Sequence, residues 1–166
     1  MSINHSLEGM PLFDGLSEEQ LGRLLSLTER TVVPDGAVIL EEDGLGDSLF
    51  ILASGSVDVT RRLGRAHGFA IDDPKEKTIV RLEAPQFFGE MGLLENAERS
   101  ATITAHGACE LLELTRADFS KLVDEDLGFG YLMVRNIAVV MASRLRRTDR
   151  DVLKLTAALS LALGNR

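Results

Sequence analysis

Two charged residues nine positions apart, Glu90 and Arg99, sit in a run from Pro85 to Thr104 that also holds Gly89, Gly92, Ser100 and Ala101. Each residue type suits one step of anion recognition. Arginine stays charged and presents a planar fork of donors that matches two phosphate oxygens. An ionised glutamate only accepts, so it suits a ligand hydroxyl. Glycine lets backbone approach a ligand with no side chain in the way. Ser100 offers a small hydroxyl, and the stretch Met91 to Asn96 can make one helical turn whose leading amides face an anion. The plainer alternative is a β-turn-helix-β connection carrying a surface Glu–Arg pair, which is a common and weak feature.

The spacing of the whole run separates the two readings. Phe88-Gly89-Glu90-Met91-Gly92-Leu93 followed by Arg99-Ser100-Ala101-Thr102 resembles the phosphate-binding cassette of cyclic nucleotide-binding domains, F-G-E-x-[AG]-L then R-[SAT]-A-T. The lead-in Pro11-Leu12-Phe13-Asp14-Gly15-Leu16-Ser17-Glu18-Glu19-Gln20-Leu21 and the turn Gly46-Asp47-Ser48-Leu49-Phe50-Ile51-Leu52 resemble the same family. The resemblance implies a mainly β fold, a double-stranded β-helix or jelly-roll barrel with an N-terminal helix and a long C-terminal helix. It implies that Gly89, Glu90, Met91, Arg99, Ser100 and Ala101 hold a cyclic phosphate and a ribose 2′-hydroxyl, with Glu90 beside Arg99 steadying the guanidinium. Ile79 and Leu82, on a strand leading to the cassette, are candidates for apolar contact with the base or ribose.

The elements that must position these residues read from their periodicity. Ser17 and Gln20 have capping-box spacing, and Leu21, Leu24 and Leu25 follow at helical intervals, so a helix is expected over 17–29. From Thr31 to Thr115, short β-branched runs alternate with glycine and aspartate turns, as in a sandwich or barrel. Strands are expected at 31–33, 37–41, 48–53, 56–62, 77–82, 100–106 and 109–114, with an extended piece at 86–88. Gly55 reads as a hairpin turn, and Gly44-Leu45-Gly46-Asp47 as a structural turn. Residues 61–77, rich in charge and glycine, read as a polar loop whose arginines are solvated. Thr115 is placed to cap a short helix to about Val123.

Residues 127–163 contain no proline and read as one long helix, or two with a bend. Val134, Ala138, Met141, Leu145, Thr148, Val152, Leu155, Leu159 and Ala162 alternate spacings of four and three, a heptad seam. A helix of that length reaches roughly 50 Å, too far to lie wholly against one small barrel. The domain reading is therefore 1–126 for the barrel with its N-terminal helix, 127–163 for the hinge or dimerisation helix, and 164–166 for a tail. A parallel homodimer through the 134–162 seam is expected, against the alternative of a helix folded back on its own domain. The stretch Ala142 to Asp149 resembles the dimer helix of catabolite-activator relatives, in which a Thr-Ser pair meets the base amino group. That places Thr148 and Asp149 in the site. A carboxylate accepts and the adenine amino group donates, so cyclic AMP is expected ahead of cyclic GMP.

Composition bounds the function classes. The chain has 166 residues, 45% of them apolar, enough for one cored domain plus an extension. A formal charge of −8 disfavours a nucleic-acid-coating role. No apolar run reaches membrane-spanning length and no basic-then-apolar leader opens the chain, so a cytoplasmic home is expected. Cys109 reads as a buried small hydrophobe. His5, His67 and His106 are scattered away from any metal-ligand spacing, and no nucleophile elbow or Walker loop appears, so neither an enzyme nor a catalytic cofactor or metal is expected. Few residues follow Leu153, so no helix-turn-helix domain and no direct DNA contact is expected. The leading functional reading is a stand-alone cyclic nucleotide sensor whose C-terminal helix reports to an effector protein. The alternative is a nucleotide-independent interaction or scaffold subunit that works through the coiled-coil helix.

Overall fold

The computed structural model describes residues 7, 9–62, 76–95 and 98–164. His5, His67, most of the polar loop expected at 61–77, Asn96 and the last two residues of the tail lie outside the described residues. A 3₁₀ turn, Pro11–Phe13, leads into α1, Glu18–Leu27. Six strands follow: β1 Glu29–Val33, β2 Val38–Leu40, β3 Ser48–Arg62, β4 Glu76–Glu83, β5 Gln86–Phe88 and β6 Thr102–Thr115. The short helix α2, Glu90–Leu94, separates β5 from β6, and α3, Arg116–Glu125, and α4, Leu127–Gly164, close the chain. The caps form where the sequence places them. The Ser17 hydroxyl accepts from the Gln20 amide while the Gln20 side chain accepts from the Ser17 amide, and Thr115 accepts from the Asp118 amide.

Two long antiparallel strands, β3 and β6, form the spine of the jelly roll and pair from Ser48–Thr115 to Thr60–Thr102. Toward one end β6 carries β1 and β3 carries β5; toward the other, β6 carries β2 and β3 carries β4. The strands expected at 48–53 and 56–62 are one strand, as are 100–106 and 109–114. Gly55 is accordingly not a hairpin turn. It sits at a bulge where the β3–β6 register shifts between Leu52 and Ser56, with φ 90°, and a Cβ there would lie 2.6 Å from the Ala108 carbonyl. The bulge lets both strands bend without ending, so each serves both halves of the roll.

Strand alternation then sorts the apolar residues into two cores. Leu49, Ile51, Phe87, Leu112 and Leu114 face the helices, where they meet Leu12, Leu24, Phe119, Phe129, Met133 and Ile137. Their neighbours in sequence, Leu52, Phe88 and Leu111, turn the other way and join Leu40, Val57 and Ile103 inside the barrel. The break between Phe87 and Phe88 matters most for function. β5 drives one ring into each core, with Phe88 stacked 5.6 Å from Phe50, and so fixes where the chain stands when it reaches Gly89 and Glu90.

The C-terminal segment is one uninterrupted helix of 38 residues, about 57 Å long. Asp126 joins it to α3: its amide donates to Leu122, and its carboxylate accepts from the Phe129 amide at 3.0 Å and from Gln20 at 2.7 Å. Phe129, Met133 and Ile137, spaced by four, are 2%, 0% and 0% exposed, and Asn136 between them donates to the carbonyls of Leu12 and Asp14. From Leu145 to Gly164 every residue is exposed.

Candidate functional site

A cavity of about 310 Å³ opens between the barrel mouth and the middle of α4. That is at the low end of the roughly 300–1,000 Å³ usual for small-molecule sites. Its apolar walls include Leu40, Val59, Val80 and Ile103 from the barrel core and strands, with Ile79 and Leu82 from β4. Gly89, Glu90, Met91, Arg99, Ser100 and Ala101 line one end, and Thr148 lines the helix wall. The fold thus brings nine of the ten residues singled out from sequence to one cavity. Asp149 is the exception: it is exposed and does not line this space, because one step along a helix turns a side chain by about 100°. Asp151, three residues beyond Thr148 and therefore on its face, lines the cavity together with Arg147.

Arg99 is 7% exposed and is held by the chain around it. Its Nη1 donates to the carbonyls of Ser48 at 2.9 Å and Gly89 at 3.1 Å, and Nη2 donates to the Ser48 hydroxyl at 3.3 Å. Its own backbone is clasped by the 43–44 turn, with the Arg99 amide donating to Gly44 and the Asp43 amide donating to Arg99. Burial lowers the guanidinium's pKa from its ordinary value, against the opposing pull of Asp47 and Glu113. That ordinary value lies so far above neutrality that the group remains a cation.

Two glycines missed as site residues explain how so large a side chain fits. A Cβ at Gly46 would lie 2.3 Å from the Arg99 Nε, and one at Gly92 would lie 2.4 Å from Nη1. The turn at 44–47 is therefore structural, as read from sequence, but what it supports is the arginine. Arg116 closes the back of the cassette, donating from Nη2 to the carbonyls of Gly92 in α2 and of Glu95 just after it.

Glu90 is buried at 9% exposure, and its charge favours the Arg99 guanidinium without a hydrogen bond to it among the described residues. Its carboxylate accepts at 2.8 Å from Nη1 of Arg144, a residue of α4. Arg144 also donates to the Phe87 carbonyl at 2.6 Å and lies 5.0 Å over the Phe87 ring. Arg144 was not among the residues singled out from sequence. The signal that identifies it is its place one turn before Thr148, on the same helix face. The result is two separately held cations: Arg99, buried in the barrel and bonded to the Ser48 and Gly89 carbonyls and the Ser48 hydroxyl, and Arg144, on the long helix and bonded to the buried carboxylate of Glu90.

Among the described residues, no group of three or more histidines, cysteines or acids could hold a metal ion, and no helix is long and apolar enough to cross a membrane.

A family model described as cyclic nucleotide-binding domain matches residues 30–126. The Cyclic AMP receptor protein of Thermus thermophilus is 36% identical over 146 residues, which cover 88% of this chain and 62% of that protein. The cGMP-dependent protein kinase, isozyme 1, of Drosophila melanogaster is 31% identical over 125 residues, 75% of this chain and 15% of the kinase. The crystal structure of the Thermus thermophilus catabolite activator protein superposes with a TM-score of 0.72 at 35% identity, covering 88% of this chain and 63% of that one. The chain spans less than two thirds of the length of these curated relatives.

Proposed function

The chain belongs to the cyclic nucleotide-binding domain family, and from that premise we propose that it is a regulatory sensor module for a cyclic nucleotide, cyclic AMP ahead of cyclic GMP, that reports binding through α4 to a partner protein. The observation that carries this reading is the bond between Glu90 and Arg144. The carboxylate suited to the ribose hydroxyl is the same carboxylate that holds the long helix against the cassette. A sugar hydroxyl arriving at Glu90 must share it with Arg144, so occupancy of the pocket and the pose of α4 are coupled. A ligand shifts such an equilibrium only by its different affinity for two poses, and the shared carboxylate supplies that difference.

In this reading Arg99 and Ser100 hold the cyclic phosphate, with Gly89, Met91 and Ala101 forming the backbone floor beside it. Ile79 and Leu82 contact the base or ribose, and Thr148 meets the base from the helix side. Asp149 takes part through a homodimer. On the helix wheel it lies on the flank of the seam opposite to Arg144 and Asp151, and in a parallel pair that flank faces the partner subunit's pocket. Exposure of Leu145 at 62%, Leu155 at 71% and Leu159 at 60% supports pairing through the 134–162 seam. The module performs no chemical step of its own and works in the cytoplasm. A formal charge of −8 weighs against nucleic acid as its partner.

Isothermal calorimetry with cyclic AMP tests the proposal. Saturable heat is expected for the native chain and its loss for Arg99→Ala, with the fold checked by circular dichroism. No heat and no thermal shift at millimolar cyclic AMP or cyclic GMP would leave the second reading, a nucleotide-independent interaction subunit. The exposed apolar length of α4 favours that alternative, and it predicts a helical partner captured equally with and without nucleotide.

A further inference from the structure

We propose that the apolar groove between α3 and the start of α4 is a socket for a second copy of this chain, filled by the partner's Tyr131. This rests on the homodimer reading above and adds to it a contact outside the 134–162 seam. The groove has a volume of about 440 Å³. Phe119 and Val123 of α3 line it together with Leu127, Gly130, Tyr131 and Val134 of α4. Leu127 and Tyr131 are 76% and 69% exposed, although they belong to the half of α4 that packs on its own domain.

Spacing identifies the occupant. Tyr131 lies three residues before Val134 and Leu127 four before Tyr131, so the alternation of three and four runs back past Val134 without a break. In a parallel pair in register, each seam residue seats in a hole made by four residues of the facing helix. For Tyr131 those are the positions of Leu127, Gly130, Tyr131 and Val134, all of which line the groove. Gly130 widens the hole. A Cβ there would lie 2.9 Å from Val123, so α4 touches α3 at this point, and with no side chain at Gly130 the hole opens onto α3. Tyrosine suits such a seat, because its ring is apolar and its hydroxyl stays wet at an open rim. Charge does not oppose the pairing. Arg135 is the one charged residue lining the groove among the described residues. It flanks the seam, and its counterpart across a parallel pair is Gly130, which carries no charge, so the aliphatic stem of Arg135 covers the socket's edge.

Tyr131 is the chain's one tyrosine and there is no tryptophan, so its fluorescence reports this socket alone. The test is acrylamide quenching of the full chain across the concentrations at which sedimentation equilibrium shows dimer giving way to monomer. Quenching is expected to rise severalfold on dissociation. With helical circular dichroism unchanged, Tyr131→Glu should raise the dimer dissociation constant at least about tenfold, because each dimer loses two aromatic contacts, and Tyr131→Phe should leave it within about threefold. Tyr131→Cys should form a disulfide between subunits under oxidised glutathione, since facing seam positions bring Cα atoms within bridging range, about 4.4–6.8 Å. A dimer in which Tyr131 is quenched as freely as in the monomer, whose association Tyr131→Glu leaves unchanged, or in which Tyr131→Cys stays uncrosslinked would overturn the assignment. It would keep the 134–162 pairing and leave the groove to a different protein. A native chain that stays monomeric at high micromolar concentration would overturn this inference and the homodimer reading together, with the binding of cyclic nucleotide untouched by either result.

Discussion

Residues 127–144 of α4 bury Phe129, Met133, Asn136 and Ile137 against the barrel and its N-terminal turn, whereas residues 145–164 of the same helix bury nothing. The backbone does not distinguish the halves, because the hydrogen-bond ladder runs through both. What differs is the source of stability. The first half is held by apolar contact and by Asn136 bonded to two carbonyls. The second half has Leu145, Val152, Leu155 and Leu159 in a seam with nothing over it within one chain. Leu153 and Leu161, 69% and 74% exposed, lie off that seam. The cavity sits where the two regimes meet, lined by Arg144, the last partly buried residue, and by the exposed Arg147, Thr148 and Asp151 beyond it. A ligand at that joint acts on the half of the helix that the fold leaves undetermined.

The largest expected effect tests whether the division is real. Ile137→Ala removes a side chain with no exposure and is expected to cost about 2–5 kcal/mol in urea denaturation. Leu159→Ala, 60% exposed, is expected to change the unfolding free energy by under about 0.5 kcal/mol at dilutions where the chain is monomeric. Comparable costs at the two sites would mean that the distal half packs on its own domain after all. Next in size is the complementary perturbation. Leu155→Lys places a charge in the seam, forfeiting about 1.5–3 kcal/mol of apolar burial per subunit in a pair. Sedimentation equilibrium should show a shift from dimer to monomer, and nucleotide affinity per site should fall with it, because Asp149 then no longer reaches a partner's pocket. A native chain that is monomeric at high micromolar concentration would remove the dimer from the proposal. Asn136→Ala comes third. It leaves the Leu12 and Asp14 carbonyls without their donor, at about 1–3 kcal/mol, and the loss should appear in chemical denaturation and not in the association state.

The parts legible in the sequence were those set by neighbours along the chain. Ser17 and Thr115 cap their helices because a hydroxyl reaches an amide three residues on, and the unbroken α4 follows from a stretch without proline. The cassette was legible because its residues are contiguous. The illegible parts were set across the fold. Whether β3 continues through Gly55 depends on the register of β6 opposite it. Arg144 belongs to the site only because β5 delivers Glu90 to the helix, and nothing local joins residues 54 positions apart. Asp149 and Asp151 differ by half a helical turn, and which of them faces the cavity depends on how Met133 and Ile137 seat the helix some four turns earlier.

That seating begins at Asp126, and the smallest expected effect lies there. The side chain of Gln20 donates to its carboxylate, and the amides of Phe129 and Gly128 add to this, so its pKa falls below the usual carboxylate value. A folded-state pKa below the unfolded one contributes stability that is fully present above the unfolded value, about 3.9, and is lost as pH falls through the lower folded value. Asp126→Ala should therefore lower the thermal midpoint at pH 7, by less than the substitutions above because the group is open to solvent. The gap to the native chain should close progressively in acid below about pH 4. Gln20 and Asp126 tie α1 to the start of α4, so a gap that stayed constant with pH would mean that the carboxylate positions the helix by shape alone. A gap that closes assigns the anchoring of the ordered half to a charged hydrogen bond, an attachment for which the described residues of the distal half show no counterpart to the barrel.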